Sequence, residues 1–277
     1  MVKSFINEYV GLILAAGYGT RLRPYTNYIP KPLLPFCGSP IIKHAISRLS
    51  NAGIEHITIN THHLHEQIEE FIKENYLSKK NDELTGNTGN TSTKPVDIYL
   101  SFEESVLGTG GVYSKIKDRI SGKNIVVYNS DIISDIDIQA LMLAHYNNPQ
   151  RVSTMVVTDY KEGTTPLYVG EDGNLVVLGN EEELKKLDKL QKCSFCAVSV
   201  VSSALIDLLP QEGFSSIIDA YKKALTMGLK IGTYYHNGLW EDIGDKSSFR
   251  QAYIKLFSDL KKKHYKSIEI YLSELGL

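Results

Sequence analysis

The sequence predicts a single α/β domain with a mixed, mainly parallel central sheet flanked by helices. Strand-like and helix-like segments alternate over most of the chain, the pattern that crossover helices on a parallel sheet require. With 42% hydrophobic residues in a chain of 277, there is material for a large core. Length alone allows one large or two small domains at ~150 residues each. No internal repeat is present, which argues against an appended hexapeptide β-helix.

The elements follow from local patterns. Val10 to Leu14 is a short apolar run bounded by glycine and reads as a buried strand. Ile41, Ile42, Ala45, Ile46 and Leu49 recur at helical spacing, with Gly53 placed to stop that helix. Ile57 and Ile59 alternate in a second strand, and Leu64, Ile68, Phe71 and Ile72 mark the apolar stripe of a second helix. Segment 78–94 is polar, rich in Asn, Thr and Gly, and without an apolar period. It reads as a mobile surface insertion, with a lid over a site as the functional alternative. Gly108 to Gly111 are expected to precede a short helix, and NIVVYNSDII to form a strand ending in polar residues. A helix carrying Ile138, Leu141, Met142 and His145 follows, then the strand VSTMVVTDY. LYVGEDGNLVVLG reads as a hairpin about Asp172-Gly173, CSFCAVSVV as a strand, and Ile217 to Leu225 as a helix. The tail, 246–277, is expected to be largely helical, with Phe249, Tyr253, Leu256 and Phe257 on it.

Composition excludes several classes. Thirty Lys+Arg against 32 Asp+Glu gives a net charge of -2, without the basic excess of a dedicated nucleic-acid binder. No apolar run approaches the ~20 residues that span a bilayer. Glu8 interrupts the amino-terminal apolar stretch, so it does not read as a signal peptide. Three cysteines cannot all pair, which fits a reducing, cytoplasmic setting.

The densest chemistry lies in Leu14 to Pro35, LAAGYGTRLRPYTNYIPKPLLP. A strand empties into a turn holding Gly17 and Gly19, followed by Thr20, Arg21 and Arg23. Glycines there let backbone N–H groups approach an anion, and a fixed Arg adds bidentate phosphate contacts. Lys31 stands between Pro30 and Pro32, whose restricted φ angles stiffen the backbone around its charge. The dinucleotide fingerprint fails, because Leu22 replaces its third glycine and Asn60 its acidic residue. The Gly-Lys-Ser/Thr of a P-loop is also missing.

LAAGYGTRLRPYTNYIPKPLLPFCGSP resembles the amino-terminal motif of the sugar-phosphate nucleotidyltransferases, or NDP-sugar pyrophosphorylases. The resemblance extends to EESVLGTGG, to Asp131 in YNSD and to WEDIG at Trp240 to Gly244, in the family's order. It implies a Rossmann-like nucleotidyltransferase domain that moves a nucleotidyl group from an NTP to a phosphorylated acceptor, releasing pyrophosphate. It also implies a Mg²⁺ ion on Asp131 and Asp242, and a triphosphate gripped by Arg21 and Lys31. Such chemistry asks for charge neutralisation and in-line positioning more than for a covalent catalyst. Lys31→Ala or Asp131→Ala is therefore expected to leave the fold intact and lower turnover at least ~10²–10³-fold.

By the same matching, Leu14, Ala15, Ala16, Gly17, Gly19, Thr20, Gly108 and Thr109 are expected at the nucleotide. Glu103 stands where family members put a residue that reads the base edge. An ionised carboxylate accepts from the N–H groups of uracil or guanine, which favours UTP or GTP. The pattern departs at LVVLGN: Gly179 and Asn180 stand where most members carry a Glu-Lys pair. The lysine is either lost or its duty moved to Lys185, Lys186 or Lys192, with Asn180 and Trp240 expected at the acceptor. In lacking the pair the chain is similar to N-acetylmuramate-1-phosphate uridylyltransferase members, and in its LGT-like and Glu103-like features to mannose-1-phosphate guanylyltransferase members, which usually retain the pair; both are enzymes of nucleotide-sugar and cell-envelope biosynthesis. The alternatives are a choline-phosphate cytidylyltransferase of the same fold, which Glu103 disfavours, and a non-catalytic nucleotide-sugar-binding regulatory subunit. Expected partners are an NTP and a phosphorylated small molecule, with no nucleic acid or membrane and with a homo-oligomer left open. His62, His63 and His65 lack the spacing of metal ligands, although His62 or His63 is plausible near the nucleotide. Cys193 and Cys196 form a lone CxxC in a strand-like run and read as core packing.

Overall fold

The computed structural model describes residues 5–77, 96–179 and 189–262. The expected insertion at 78–94 and the tail beyond 262 lie outside the described residues. In chain order the strands are β1 (Tyr9–Leu14), β2 (Pro35–Phe36), β3 (Ser39–Pro40), β4 (His56–Thr61), β5 (Asp97–Phe102), β6 (Asn124–Asn129), β7 (Ile132–Ser134), β8 (Arg151–Asp159), β9 (Pro166–Val169), β10 (Leu175–Leu178), β11 (Gln191–Val201), β12 (Lys230–Tyr235) and β13 (Trp240–Asp242). The central sheet is mixed and flanked by helices, the expected α/β architecture. The chain divides into two compact units, one formed by 1–10, 107–128 and 136–238, the other by 11–106, 129–135 and 239–277.

The second of these units carries most of the expected chemistry. β1 from Gly11 onward, β4 and β5 run parallel, with Leu14 opposite Asn60 and Asn60 opposite Ser101. Their carboxyl ends therefore lie at one edge, where open α/β sheets place ligands. In β4, residues 57 to 61 are all buried although the sequence alternates Ile with polar side chains, because a parallel strand is covered on both faces. The helix Ile41–Asn51 buries Ile41, Ile42, Ala45, Ile46 and Leu49 completely, and Gly53 takes a positive φ of 95° just past its end. The second helix runs His65–Ile72 and buries Ile68 and Ile72, while Leu64 precedes it in the left-handed region. A core of Leu22, Leu34, Phe36, Ile41, Ile133, Leu239, Ile243, Ala252 and Leu256 joins the glycine-turn segment, the β7–β13 pair and the helix Lys246–Lys262.

In the other unit, β11 pairs antiparallel with β6, β8 and β9, the β9–β10 hairpin turns at Asp172-Gly173, and β12 runs parallel to β8. Cys193 and Cys196 form no disulfide and are fully buried in β11, as core residues. Gly108 opens the helix Gly108–Lys115, whereas the sequence places all of 108–111 before it. The reason is close packing: a Cβ on Gly110 would lie 2.6 Å from Ser215 Oγ, and one on Gly111 2.4 Å from Gly213 O. Glycine persists inside this helix because a neighbouring backbone needs the space.

Candidate active site

β1 ends at Leu14, and the chain turns back through short 3₁₀ turns at Thr20–Leu22, Tyr25–Asn27 and Lys31–Leu33. Gly19 has a φ of 62°, and a Cβ there would lie 2.8 Å from Thr26 Cγ2 and 3.1 Å from Lys31 Cβ. The Thr26 hydroxyl donates to Gly19 O at 2.8 Å. Glycine at 19 thus lets the two arms of the loop close on each other, which brings the Lys31 stretch against the turn. Gly17 has nothing within 4 Å of a virtual Cβ, so its surroundings are open to a ligand.

Pro30 is extended ahead of Lys31, and Leu34 N–H donates to Lys31 O at 3.1 Å. The stiff backbone aims the Lys31 side chain at Asp131, where Nζ bonds Oδ2. Asp131 stands in the turn between β6 and β7, and its carbonyl accepts from Ile243 N–H at 3.0 Å. β13 pairs with β7 so that Asp242 lies opposite Ile132, one residue from Asp131. Arg21 completes the group. A Cβ on Gly244 would lie 2.7 Å from Arg21 Nη2 and 3.0 Å from Asp242 Oδ1. Arg21 also reaches Asp245 Oδ2 at 4.0 Å, in an exposed contact. The four side chains expected to carry the chemistry therefore converge within one unit.

Electrostatics fit that proximity. Asp242 has solvent access as a residue, yet its carboxyl is held above the ordinary carboxylate range. The protein around it is the main cause and the negative charge of Asp131 the second, while Lys31 and Arg21 pull the other way. Among the described residues, no cluster of three or more His, Cys, Asp or Glu side chains could hold a metal ion. Two adjacent carboxylates are what a phosphate-bound Mg²⁺ asks of a protein, since substrate oxygens and water fill its remaining positions.

The other expected residues divide between the units. Ala15 N–H donates to Asn60 Oδ1 at 2.8 Å, and Ala15 and Ala16 are buried. Thr20 opens the 3₁₀ turn that carries Arg21. Glu103 is 1% exposed, and its Oε1 accepts from Asn60 Nδ2 at 2.8 Å. His62 bridges Glu103 O at 2.7 Å and the Tyr18 hydroxyl at 2.9 Å, and His63 Nε2 donates to Thr26 O at 2.7 Å. Gly108 and Thr109 belong to the other unit. A Cβ on Gly108 would lie 2.4 Å from Ser215 O, and Thr109 Oγ1 accepts from Ile217 N–H at 3.1 Å. Trp240 is 5% exposed and pairs with Ser134 across β13 and β7. Asn180, Lys185 and Lys186 lie outside the described residues. Lys192 stands over the Tyr160 ring, 4.1 Å from its centroid. Sequence reasoning missed Asn60 and Asp245 as parts of the site and gave Gly244 no role. The available signals were a polar residue near the carboxyl end of an apolar strand, and the last two positions of WEDIGD.

A family model described as nucleotidyl transferase matches residues 10–174. The chain belongs to the nucleotidyl transferase family. Relatives of this nucleotidyl transferase include a mannose-1-phosphate guanylyltransferase catalytic subunit beta of Xenopus tropicalis, 26% identical over 258 residues, covering 91% of this chain and 66% of that protein. Another is a mannose-1-phosphate guanylyltransferase of Mycobacterium tuberculosis, 28% identical over 243 residues, covering 86% of this chain and 62% of that protein. This nucleotidyl transferase thus spans a little under two thirds of the length of these two relatives. A solved structure of UDP-glucose pyrophosphorylase complexed with UDP-glucose shares the fold, with a TM-score of 0.70 at 20% identity over 91% of this chain and 99% of that one. Among the described residues, no helix is long and apolar enough to cross a membrane.

Proposed function

We propose that this nucleotidyl transferase condenses an NTP, GTP or UTP, with a sugar 1-phosphate to give an NDP-sugar and pyrophosphate, in a Mg²⁺-dependent reaction. The convergence of Arg21, Lys31, Asp131 and Asp242 carries this reading. An oxygen of the acceptor phosphate attacks the α-phosphorus, the bond from that phosphorus to the β-phosphate oxygen breaks, and pyrophosphate leaves. A sugar phosphate is already a competent nucleophile near pH 7, so the residues need supply only orientation and charge. Arg21 and Lys31 neutralise the phosphate oxygens. Asp131 and Asp242 would hold Mg²⁺, which supplies charge neutralisation on the transferring group when bound. Mannose 1-phosphate is the first acceptor to test, on the names of the relatives. A reducing, cytoplasmic setting belongs to the same reading and draws on Cys37, Cys193 and Cys196 forming no disulfide.

The test is pyrophosphate release with each of four NTPs against a panel of sugar 1-phosphates and choline phosphate, with and without Mg²⁺. Release with GTP or UTP and a sugar 1-phosphate, abolished by chelation, is expected. Release only from CTP and choline phosphate would replace the reading. So would nucleotide-sugar binding without release in any mixture.

A further inference from the structure

Behind the glycine turn lies a polar relay that the reaction above does not use. Asn60 is the next-to-last residue of β4, 3% exposed, and stands opposite Leu14 of β1 and Ser101 of β5. A buried side-chain amide must satisfy its donor and its acceptor within the protein. Here Oδ1 accepts from Ala15 N–H and Nδ2 donates to Glu103 Oε1, each at 2.8 Å. Glu103 Oε1 takes the Nδ2 end of the amide, which leaves Oδ1 for Ala15 N–H. The main chain of Glu103 is fixed as well: its N–H donates to Thr61 O at 2.8 Å, and its carbonyl takes His62 Nδ1. The other ring nitrogen of His62 meets the Tyr18 hydroxyl. Residues 15 and 18 of the turn are thus tied to the carboxyl ends of β4 and β5 through two separate side chains.

We propose that Asn60 and Glu103 form a positioning pair that sets the backbone of the turn at 15–18 for the nucleotide, with the Glu103 carboxylate committed to Asn60 and not to the base edge. This inference rests on the nucleotide-binding role proposed above for the turn. It accounts for a polar side chain inside β4, and for a carboxylate that burial alone would disfavour. The pair acts on where the nucleotide sits, remote from the reacting atoms, so its loss is felt in the affinity for NTP.

Exchanging the polarity of the pair tests it. Asn60→Asp sets carboxylate against carboxylate, whereas Glu103→Gln keeps an amide oxygen able to accept from Asn60 Nδ2. Asn60→Asp is expected to raise the KM for NTP roughly tenfold to a hundredfold, since a buried polar group loses its partner, and Glu103→Gln to raise it less. The kcat and the KM for the sugar phosphate should change little. In the double variant the amide at 103 donates to the carboxylate at 60, whose other oxygen still accepts from Ala15. Its NTP affinity and its Tm should return to within a few-fold and a few degrees of wild type. Losses that add in the double variant, in KM or in Tm, would overturn the pair. So would a Glu103→Gln variant that changes the preference among NTPs while Asn60→Asp leaves the KM unmoved. Calorimetry with GTP and UTP on the wild-type protein separates the two readings: absence of binding removes the proposed function and the pair together, whereas binding with additive losses removes the pair alone.

Discussion

Lys31 and Asp131, one hundred residues apart, meet in a partly buried ion pair beneath the glycine turn. The pair links the stiff proline-flanked loop to the turn between β6 and β7. It also sets the charge balance of the site, because Lys31 offsets the repulsion between Asp131 and Asp242. On the proposed reaction, removing the ammonium would strip one electrostatic contact from the transferring phosphate, and it leaves two neighbouring carboxylates with less compensation. Lys31→Ala is therefore expected to lower kcat for pyrophosphate release by ~10²–10³-fold, and Asp131→Ala by at least as much. Single-turnover assays on folded variants, checked by circular dichroism, measure this. Unaltered turnover in either variant would falsify its place at the reacting centre.

Asp242 gives a pH dependence with a definite sign. Its folded-state pKa is raised, so its contribution to stability is full below the ordinary carboxylate range and is lost as pH rises through the raised value. In metal-free protein near neutral pH, Asp242→Asn should therefore hold or raise Tm, because repulsion from Asp131 and the cost of a desolvated charge disappear. Mg²⁺ should reverse the balance. Its stabilisation of the wild-type protein should grow as pH rises through the raised value and vanish in Asp242→Asn. Thermal melts across pH with and without Mg²⁺ check both, and equal Mg²⁺ stabilisation in wild type and variant would count against the metal site.

Gly244→Ala probes the packing of Arg21. The added Cβ would fall 2.7 Å from Arg21 Nη2 and 3.0 Å from Asp242 Oδ1. The first of these is the far end of a flexible, mostly exposed side chain, so the fold can yield cheaply by moving the guanidinium. A loss of about 10–100-fold in kcat/KM for NTP is expected with Tm nearly unchanged, since displacing a positioned charge costs rate more than stability. Steady-state kinetics beside a thermal melt distinguish this from general destabilisation.

Gly108→Ala should do the reverse. Gly108 has a φ of 75°, and its Cβ would meet the Ser215 carbonyl oxygen at 2.4 Å, a backbone atom that cannot step aside. Left-handed strain alone costs about 1 kcal/mol or more for a residue with a Cβ, and the clash adds to it. A loss of roughly 2–4 kcal/mol in the unfolding of this variant is expected. Denaturant titration reads it directly.

Local elements and the chemical inventory follow from the order of residues. The apolar spacing of Ile41 to Leu49 defines a helix, the run ending at Leu14 a strand, and Asp172-Gly173 a hairpin, because side-chain period and turn chemistry act within a few residues. The motif around Gly17, Gly19, Arg21 and Lys31 likewise points to anion binding by residue type and spacing alone. Which side chains meet depends on long-range strand pairing. The pairing of β13 with β7 brings Asp242 beside Asp131 from more than a hundred residues away, and no local pattern encodes that register. The parallel alignment of β1, β4 and β5 turns Glu103 inward onto Asn60, where the motif alone pointed it at a base. The start of the helix at Gly108, which the sequence places after Gly111, is obscured by glycines whose purpose is the approach of a distant backbone. The physical reason is common to all three. A side chain's own preferences are short-ranged, whereas the partner that satisfies a buried charge or amide is chosen by how strands assemble across the whole chain.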